Sequence, residues 1–243
     1  MITYITSSPF REDVDRPTFS NTNGFIDRIR QDLPEFPRCL YICADPTRHD
    51  LNCRWGADVF MAFANAGIHF EHYAVLDDSN AQDAAKLVDE CNFIMLAGGH
   101  VPTQNAFLQK IGLRQLLQGF EGVVMGISAG AMNCADVVYV QPEEPGESSP
   151  DFPRSLPGLG LANVNILPHY QKIKDNMLDG FRLIEDLIFA DSWNRPIIAL
   201  PDHSYVYCDN GYEIICGESY RIRNGILEKL TDHGQTLPME WLH

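Results

Sequence analysis

One serine of this chain lies between two glycines, directly after an apolar run. The run covers residues 123–127, and Ser128 follows it with Gly126 before it and Gly130 after it. A serine on a sharp strand-to-helix turn is the arrangement of a nucleophile elbow, although an ordinary strand-to-helix turn is the alternative. Glycines at these positions would leave room for the turn and for close packing of the strand on the helix. The pattern predicts Ser128 as a nucleophile.

A serine hydroxyl needs a base to take its proton, and that base is usually a histidine held by a third group. Eight histidines are available, and His169 follows the predicted strand 164–167 almost directly. His100 and His203 also follow predicted strand ends. We expect His169 to lie beside Ser128, because its strand-end position meets the requirement best.

An oxyanion hole requires two backbone N–H groups that point at one place. The amide of Ala129, directly after the serine, is one natural donor. Gly98 or Gly99 could supply the other, since they follow the apolar run 93–97 and let the backbone approach a substrate carbonyl. A tight turn without a ligand is the alternative for this glycine pair.

Composition excludes several classes of function. The chain has 243 residues, 45% of them hydrophobic, and a formal net charge of −15. Such an acidic protein repels phosphate backbones and anionic lipids, so we expect neither nucleic-acid nor membrane partners. We also expect no cofactor and no metal, since the HxxH spacing of His69 and His72 is a weak metal signal. Whether the chain forms a homodimer is left open.

The cysteines and the N-terminal segment bear on location. Seven cysteines make an odd count, and no CxxC occurs among them. This usage is typical of a reducing cytoplasm rather than of a secreted disulfide framework. The sequence shows neither a signal-peptide pattern nor an apolar run of about 18 residues, so we expect a cytoplasmic protein without membrane spans.

The elements that must position these residues follow from alternating apolar runs and helix-like segments. Nearly continuous apolar strands between helices predict an α/β fold, a mostly parallel sheet with helices on both faces. Ligands of such sheets lie at the carboxyl ends of the strands, where both Gly98 and Ser128 would be. Residues 176–190 are predicted to form an amphipathic helix. Hairpin signals at 209–211 and 223–225 predict antiparallel C-terminal strands appended to the same sheet. We expect one domain, 1–243.

Together these motifs resemble the peptidase E and cyanophycinase family of serine peptidases. The resemblance rests on residues 126–131, on Ala97 with Gly98 and Gly99, and on residues 167–170, which read Leu-Pro-His-Tyr. Residues 200–202, Leu-Pro-Asp, are similar to a further strand-end signature of that family. The similarity runs in matching order from about residue 93 to 209. It implies a class I glutamine amidotransferase-like fold, with serine where the amidotransferases carry cysteine.

The resemblance implies Ser128 as nucleophile, His169 as base, and the amides of Gly99 and Ala129 as oxyanion donors. Peptidase E has an aspartate some fifteen residues after the serine, whereas this chain has Glu143 and Glu144 there and no aspartate until Asp151. Either glutamate could orient His169. Some cyanophycinase-like members use a glutamine near the glycine turn instead, for which Gln104 is the counterpart.

The family resemblance favours hydrolysis of small peptides through an acyl-enzyme, with an acidic substrate residue as one option. Selectivity for an acidic residue would demand a cation in the pocket, and Lys172 and Arg182 are the candidates by position. Two alternatives stay open. One is an α/β-hydrolase esterase that uses Ser128, Asp202 and His233 in that chain order. The other is a catalytically silent binding protein on the same scaffold.

Overall fold

The computed structural model describes residues 1–242, and His243 lies outside the described residues, although the domain prediction included it. The strands are β1 (Ile2–Thr6), β2 (Arg38–Ile42), β3 (His72–Leu76), β4 (Phe93–Leu96), β5 (Val123–Ile127), β6 (Val137–Tyr139), β7 (Ser155–Pro157), β8 (Ile166–Leu167), β9 (Met177–Leu178), β10 (Phe181–Arg182), β11 (Ile197–Ala199), β12 (Tyr205–Asp209), β13 (Tyr212–Cys216), β14 (Ser219–Arg223), β15 (Ile226–Thr231) and β16 (Thr236–Pro238).

The α-helices are α1 (Phe25–Asp32), α2 (His49–Asn65), α3 (Ala84–Asp89), α4 (Val101–Lys110), α5 (Leu113–Leu116), α6 (Ala129–Met132), α7 (Tyr170–Ile173) and α8 (Phe189–Asp191). Single 3-10 turns cover Thr22–Gly24, Ala81–Asp83 and Met239–Leu242, and a π-helical segment covers Leu183–Ile188. None of the helices described is long and apolar enough to span a bilayer.

The main sheet has eight strands in the order β16-β13-β12-β1-β5-β4-β2-β3. Its half from β1 to β3 is parallel, with Ile5 beside Gly126 and Met95 beside Met125. The strands β12, β13 and β16 continue the sheet in antiparallel fashion. The parallel order places the carboxyl ends of β4 and β5 side by side, as the sequence predicts for the glycine turn and the serine.

A second sheet of four strands has the order β15-β14-β11-β8. The strands β8 and β11 are parallel, with Leu167 beside Ala199, whereas β14 and β15 are antiparallel. The expectation that all C-terminal strands join the main sheet is therefore wrong in part. Only β12, β13 and β16 join it, and the chain returns to the second sheet between them.

The C-terminal hairpins form where the turn residues predict them. Asn210 and Gly211 have φ values of 48° and 86°, and Asn224 and Gly225 have 52° and 73°. Two successive positive φ angles give a type I′ turn, whose twist matches that of the flanking strands. These turns join β12 to β13 and β14 to β15.

The amphipathic helix predicted for residues 176–190 is wrong. This segment begins with a short β9–β10 hairpin, in which Asp179 and Gly180 have positive φ, and continues into the π-helical segment and α8. The two left-handed residues cannot continue a right-handed helix, so the apolar residues after them start a separate element. The side chains of Leu183, Ile184 and Ile188 are nevertheless buried.

The apolar runs that predict the strands form the core. The residues of β4 and β5 are buried throughout, which is typical of central strands covered on both faces. The buried hydrophobic side chains make up one contiguous cluster. That continuity supports the single-domain interpretation, which stays a prediction.

Candidate active site

Ser128 occupies a strained turn between β5 and α6. Its φ and ψ are 50° and −112°, a region that residues with a side chain rarely adopt. A Cβ on Gly126 would lie 2.6 Å from the Cα of Ala131, and one on Gly130 would lie 2.4 Å from the carbonyl oxygen of Leu96. Glycine is therefore required at both positions by close approach of the backbone, as the sequence predicts. The Ser128 side chain reaches an open cavity rather than the packed core.

His169 follows β8 and pairs with Asp202, which follows β11. Since these strands are adjacent and parallel, both residues emerge at the same edge of the second sheet. His169 Nδ1 lies 2.7 Å from Asp202 Oδ1. Asp202 accepts this hydrogen bond when Nδ1 carries the proton, and the other ring nitrogen, Nε2, is then free to accept a proton.

Asp202 is held ionised by its neighbours. Ser7 Oγ donates to Oδ1 at 2.8 Å, Gln171 Nε2 donates to Oδ2 at 2.7 Å, and Lys172 Nζ lies 2.8 Å from Oδ2. Burial by itself would raise the pKa of Asp202. Hydrogen bonds from His169, Lys172 and Ser7 outweigh it and hold the pKa well below the ordinary value. The carboxylate is therefore a negatively charged partner for the imidazole at neutral pH.

Ser7, at the end of β1, connects the two sheets at this point. Its carbonyl oxygen accepts the Ser128 N–H at 3.1 Å, and its hydroxyl accepts the His169 N–H at 2.7 Å. The same hydroxyl donates to Asp202. Ser7 therefore touches the serine, the histidine and the aspartate at once.

The glycine turn lies next to Ser128. A Cβ on Gly98 would lie 3.4 Å from the Cβ of Ser128, and one on Gly99 would lie 2.6 Å from the Cβ of Ala44. No hydrogen bond within residues 1–242 uses the N–H of Gly99 or of Ala129. Both amides therefore have no protein acceptor among the described residues, and their role as oxyanion donors stays a prediction.

Gln104 takes a different place from the predicted one. Its side chain is fully buried, with Nε2 donating to the carbonyl oxygen of Ala97 at 2.8 Å and Oε1 accepting from Asn133 at 3.1 Å. It does not line the cavity that contains Ser128. Gln104 thus supports the backbone before the glycine turn from behind, instead of contacting His169 or a ligand.

The structure also corrects the expectation for Glu143 and Glu144. Neither carboxylate reaches His169 Nδ1, because Asp202 occupies that position. Instead, the N–H groups of both residues donate to Glu147 Oε2, at 2.8 and 2.9 Å. Glu143 lines the cavity all the same, and burial raises the pKa of its carboxyl group.

Glu147 fixes the loop 141–150 to the glycine turn. Its Oε1 lies 2.9 Å from His100 Nε2, while His100 Nδ1 lies 2.8 Å from the hydroxyl of Thr103. Donor atoms of His100, Glu144 and Glu147 lie within 4.8 Å of one another, so these residues could hold a metal ion. The hydrogen bonds of His100 and Glu147 already account for their arrangement. His69 and His72 are both exposed.

The cations proposed for an acidic substrate are each paired with carboxylates of the protein. Lys172 pairs with Asp202 and Glu12. Arg182, the last residue of β10, pairs with Asp186 at 2.7 Å. Neither side chain lines the cavity.

The esterase arrangement does not form. Asp202 is bonded to His169, whereas His233 is an exposed residue in the turn between β15 and β16. In the sequence Asp202 follows Leu200-Pro201, the same Leu-Pro pattern that precedes His169, but this pattern alone does not state that the two residues pair. Ser7 was missed, and its position directly after β1 was the available signal.

Ser128, His169, Gly98, Gly99 and Glu143 line one cavity of about 570 Å³. This is within the range of small-molecule sites. A larger cavity, of about 870 Å³, includes Ile2 and Val123, which begin their strands, and so lies at the opposite edge of the sheet. Ligands of α/β sheets bind at the carboxyl ends of strands, so the smaller cavity is the candidate site.

Comparisons with known proteins bear on the family and on the fold. The sequence profile of peptidase family S51 matches residues 30–215. Among solved structures, a presumed peptidase E protein from Listeria monocytogenes EGD-e superposes with a TM-score of 0.59 at 16% identity, covering 95% of this chain and 98% of the other. No curated protein matches the chain. The predicted α/β fold of the class I glutamine amidotransferase type is confirmed.

Proposed function

Because the chain belongs to peptidase family S51, a family of serine peptidases, we propose that it hydrolyses small peptides through Ser128, His169 and Asp202. The observation that carries this proposal is the hydrogen bond between His169 Nδ1 and Asp202, at a cavity that Ser128 also lines. A buried, ionised carboxylate on Nδ1 fixes the imidazole tautomer in which Nε2 is the base. Ser128 and His169 share the cavity without a hydrogen bond between them among the described residues, a geometry that a bound substrate would tighten.

In the proposed reaction, His169 Nε2 takes the proton of the Ser128 hydroxyl as Oγ attacks the scissile carbonyl carbon. The resulting imidazolium gives that proton to the leaving amine as the peptide C–N bond breaks, which leaves an acyl-enzyme and a free amine. A water molecule then attacks the ester, with its proton passing to Nε2 and on to Ser128 Oγ. Asp202 stays ionised throughout and stabilises the imidazolium.

The amides of Gly99 and Ala129 would bind the oxyanion. Both are without a protein acceptor among the described residues, and both flank Ser128 on neighbouring strand ends. Ala129 N–H also begins α6, where the backbone N–H groups are not used within the helix. Loss of one oxyanion donor typically costs about 10²-fold or more in kcat.

Replacement of the nucleophile tests the proposal. We expect Ser128→Ala to lower kcat by roughly 10⁴-fold or more on any small peptide that the wild type cleaves, since no alkoxide can form. The matched control is Ser149→Ala, which removes a hydroxyl outside the cavity and should leave the rate unchanged. The measurement is steady-state hydrolysis of a dipeptide library followed by amine release.

Covalent labelling provides a second measurement of the same residue. A fluorophosphonate should label the wild type at Ser128, and mass spectrometry of the labelled peptide identifies the site. Turnover that survives in Ser128→Ala would contradict the mechanism. Absence of both labelling and hydrolysis in the wild type would instead favour a binding protein on this scaffold.

A further inference from the structure

The charges of the cavity all have one sign. Asp58 and Glu143 line it together with the aromatic residues Phe10, Tyr41 and Trp55, and no lysine or arginine is among its described lining residues. The other polar lining groups are Ser128 and His169. An acidic substrate would therefore meet two carboxylates and no compensating cation.

The two carboxylates come from different parts of the chain. Trp55 and Asp58 lie three residues apart on α2, a spacing that places side chains on the same face of a helix. Val59, one residue further, lines the cavity as well. Glu143 approaches from the loop 141–150, whose backbone Glu147 holds. The cavity thus has a negative group on its helix side and another on its loop side.

The aromatic lining complements these charges. Trp55 is exposed although its side chain is large and apolar, and it lines the cavity. Indole is the aromatic group that attracts cations most strongly through its ring face. Rings combined with carboxylates are a setting that favours ammonium or guanidinium groups over carboxylates.

Resting on the proposed function, we propose that this enzyme selects peptides with a cationic group on the acyl side of the scissile bond, bound between Asp58, Glu143 and Trp55. The cationic group is either a basic side chain or a free α-ammonium group. This preference is the opposite of the acidic selectivity that the family resemblance allows.

Matched dipeptides test the preference. Arginine and citrulline have nearly the same shape and differ in charge, and aspartate and asparagine form the corresponding acidic pair. All four would be placed before the same C-terminal residue, each with a free and an acetylated N-terminus. We expect kcat/KM for arginine to exceed that for citrulline by about tenfold, and aspartate to be the poorest substrate. If the α-ammonium group is the cation recognised, acetylation rather than the citrulline exchange lowers kcat/KM.

Charge-neutral variants locate the effect. Asp58→Asn combined with Glu143→Gln should bring the arginine-to-citrulline and free-to-acetylated ratios towards one, mainly through KM. Glu121→Gln is the control, since it removes one exposed negative charge outside the cavity and should leave both ratios unchanged. Ratios that stay the same in the double variant, or a preference for aspartate over asparagine, would overturn the proposal.

Binding to Ser128→Ala separates this inference from the hydrolytic mechanism. Calorimetric titration of that variant with the arginine, citrulline and aspartate dipeptides, each with a free and an acetylated N-terminus, reports recognition without turnover. Tighter binding of the cationic peptides supports the charge preference even if the wild type hydrolyses none of them, which would refute the proposed function alone. Equal binding of all the peptides, or tightest binding of the aspartate dipeptide, refutes the preference.

Discussion

At the scale of single residues, Asp202 is a carboxylate whose negative charge is preserved by its hydrogen-bond partners. Four side chains bond its two oxygens, so it stays ionised although it is largely buried. A buried carboxylate with this many donors keeps its charge because each donor stabilises the ionised form. The imidazole of His169 therefore has a fixed orientation before any substrate arrives.

Replacement of this carboxylate should affect the reaction rate more than substrate binding. We expect Asp202→Asn to lower kcat by about 10²- to 10⁴-fold with a smaller change in KM, because the amide can present a hydrogen to Nδ1 and favour the wrong tautomer. Steady-state kinetics on the dipeptide that the wild type hydrolyses with the highest kcat/KM measures both constants. A kcat within about threefold of wild type would show that His169 does not depend on Asp202.

The same variant should change how stability depends on pH. The pKa of Asp202 is lowered in the folded protein, so its ionisation stabilises the fold above the unfolded value of about 3.9. That contribution declines as the pH falls below about 4 and disappears at the depressed folded pKa. Urea unfolding should therefore give the wild type a higher free energy of unfolding than Asp202→Asn at pH 7 and pH 5. The difference between the two proteins should be smaller at pH 3.

At the scale of elements, the turn from β5 to α6 depends on backbone contact. We expect Gly126→Ala to lower the free energy of unfolding by about 2 kcal/mol or more, since the new methyl group would meet the backbone of α6 at 2.6 Å. Gly119→Ala is the control. Its φ is 83° and the space around it is open, so it should cost only about 1 kcal/mol of backbone strain. Equal decreases in the free energy of unfolding of Gly126→Ala and Gly119→Ala, measured with urea, would contradict this explanation.

The strands and turns also show which parts of the fold and the site could be predicted from the sequence. The strand-end positions of Ser128 and His169 were predictable because each residue follows a predicted strand within two residues, and a strand end is a local property. The pairing of His169 with Asp202 was not, because it depends on β8 and β11 being neighbours, which no local pattern states. For the same reason the role of Ser7 required the sheet order. The helix predicted for residues 176–190 is wrong because the apolar spacing of this segment fits a helix, whereas Asp179 and Gly180 form a hairpin turn.

At the scale of the whole molecule, the formal net charge of −15 favours cationic ligands, as the carboxylates of the cavity do. A strongly negative protein attracts cationic ligands over distances that salt shortens. We expect kcat/KM for the arginine dipeptide with a free N-terminus to fall about threefold between 50 and 500 mM NaCl, and that for the citrulline dipeptide with a free N-terminus, whose net charge is zero, to stay level. A rate that rises with salt for the cationic peptide would argue against electrostatic attraction.

The division of the chain into two sheets has a consequence for how activity could be lost. His169 and Asp202 end neighbouring strands of one sheet, while Ser128 ends a strand of the other, and Ser7 bonds to both sides. If the two sheets moved relative to each other, His169 and Asp202 would therefore move together. A shift between the sheets would separate the alcohol from its proton acceptor and leave the imidazole–carboxylate bond intact. An enzyme silenced in this way would keep its normal histidine proton resonance, and only the missing acylation would reveal the defect.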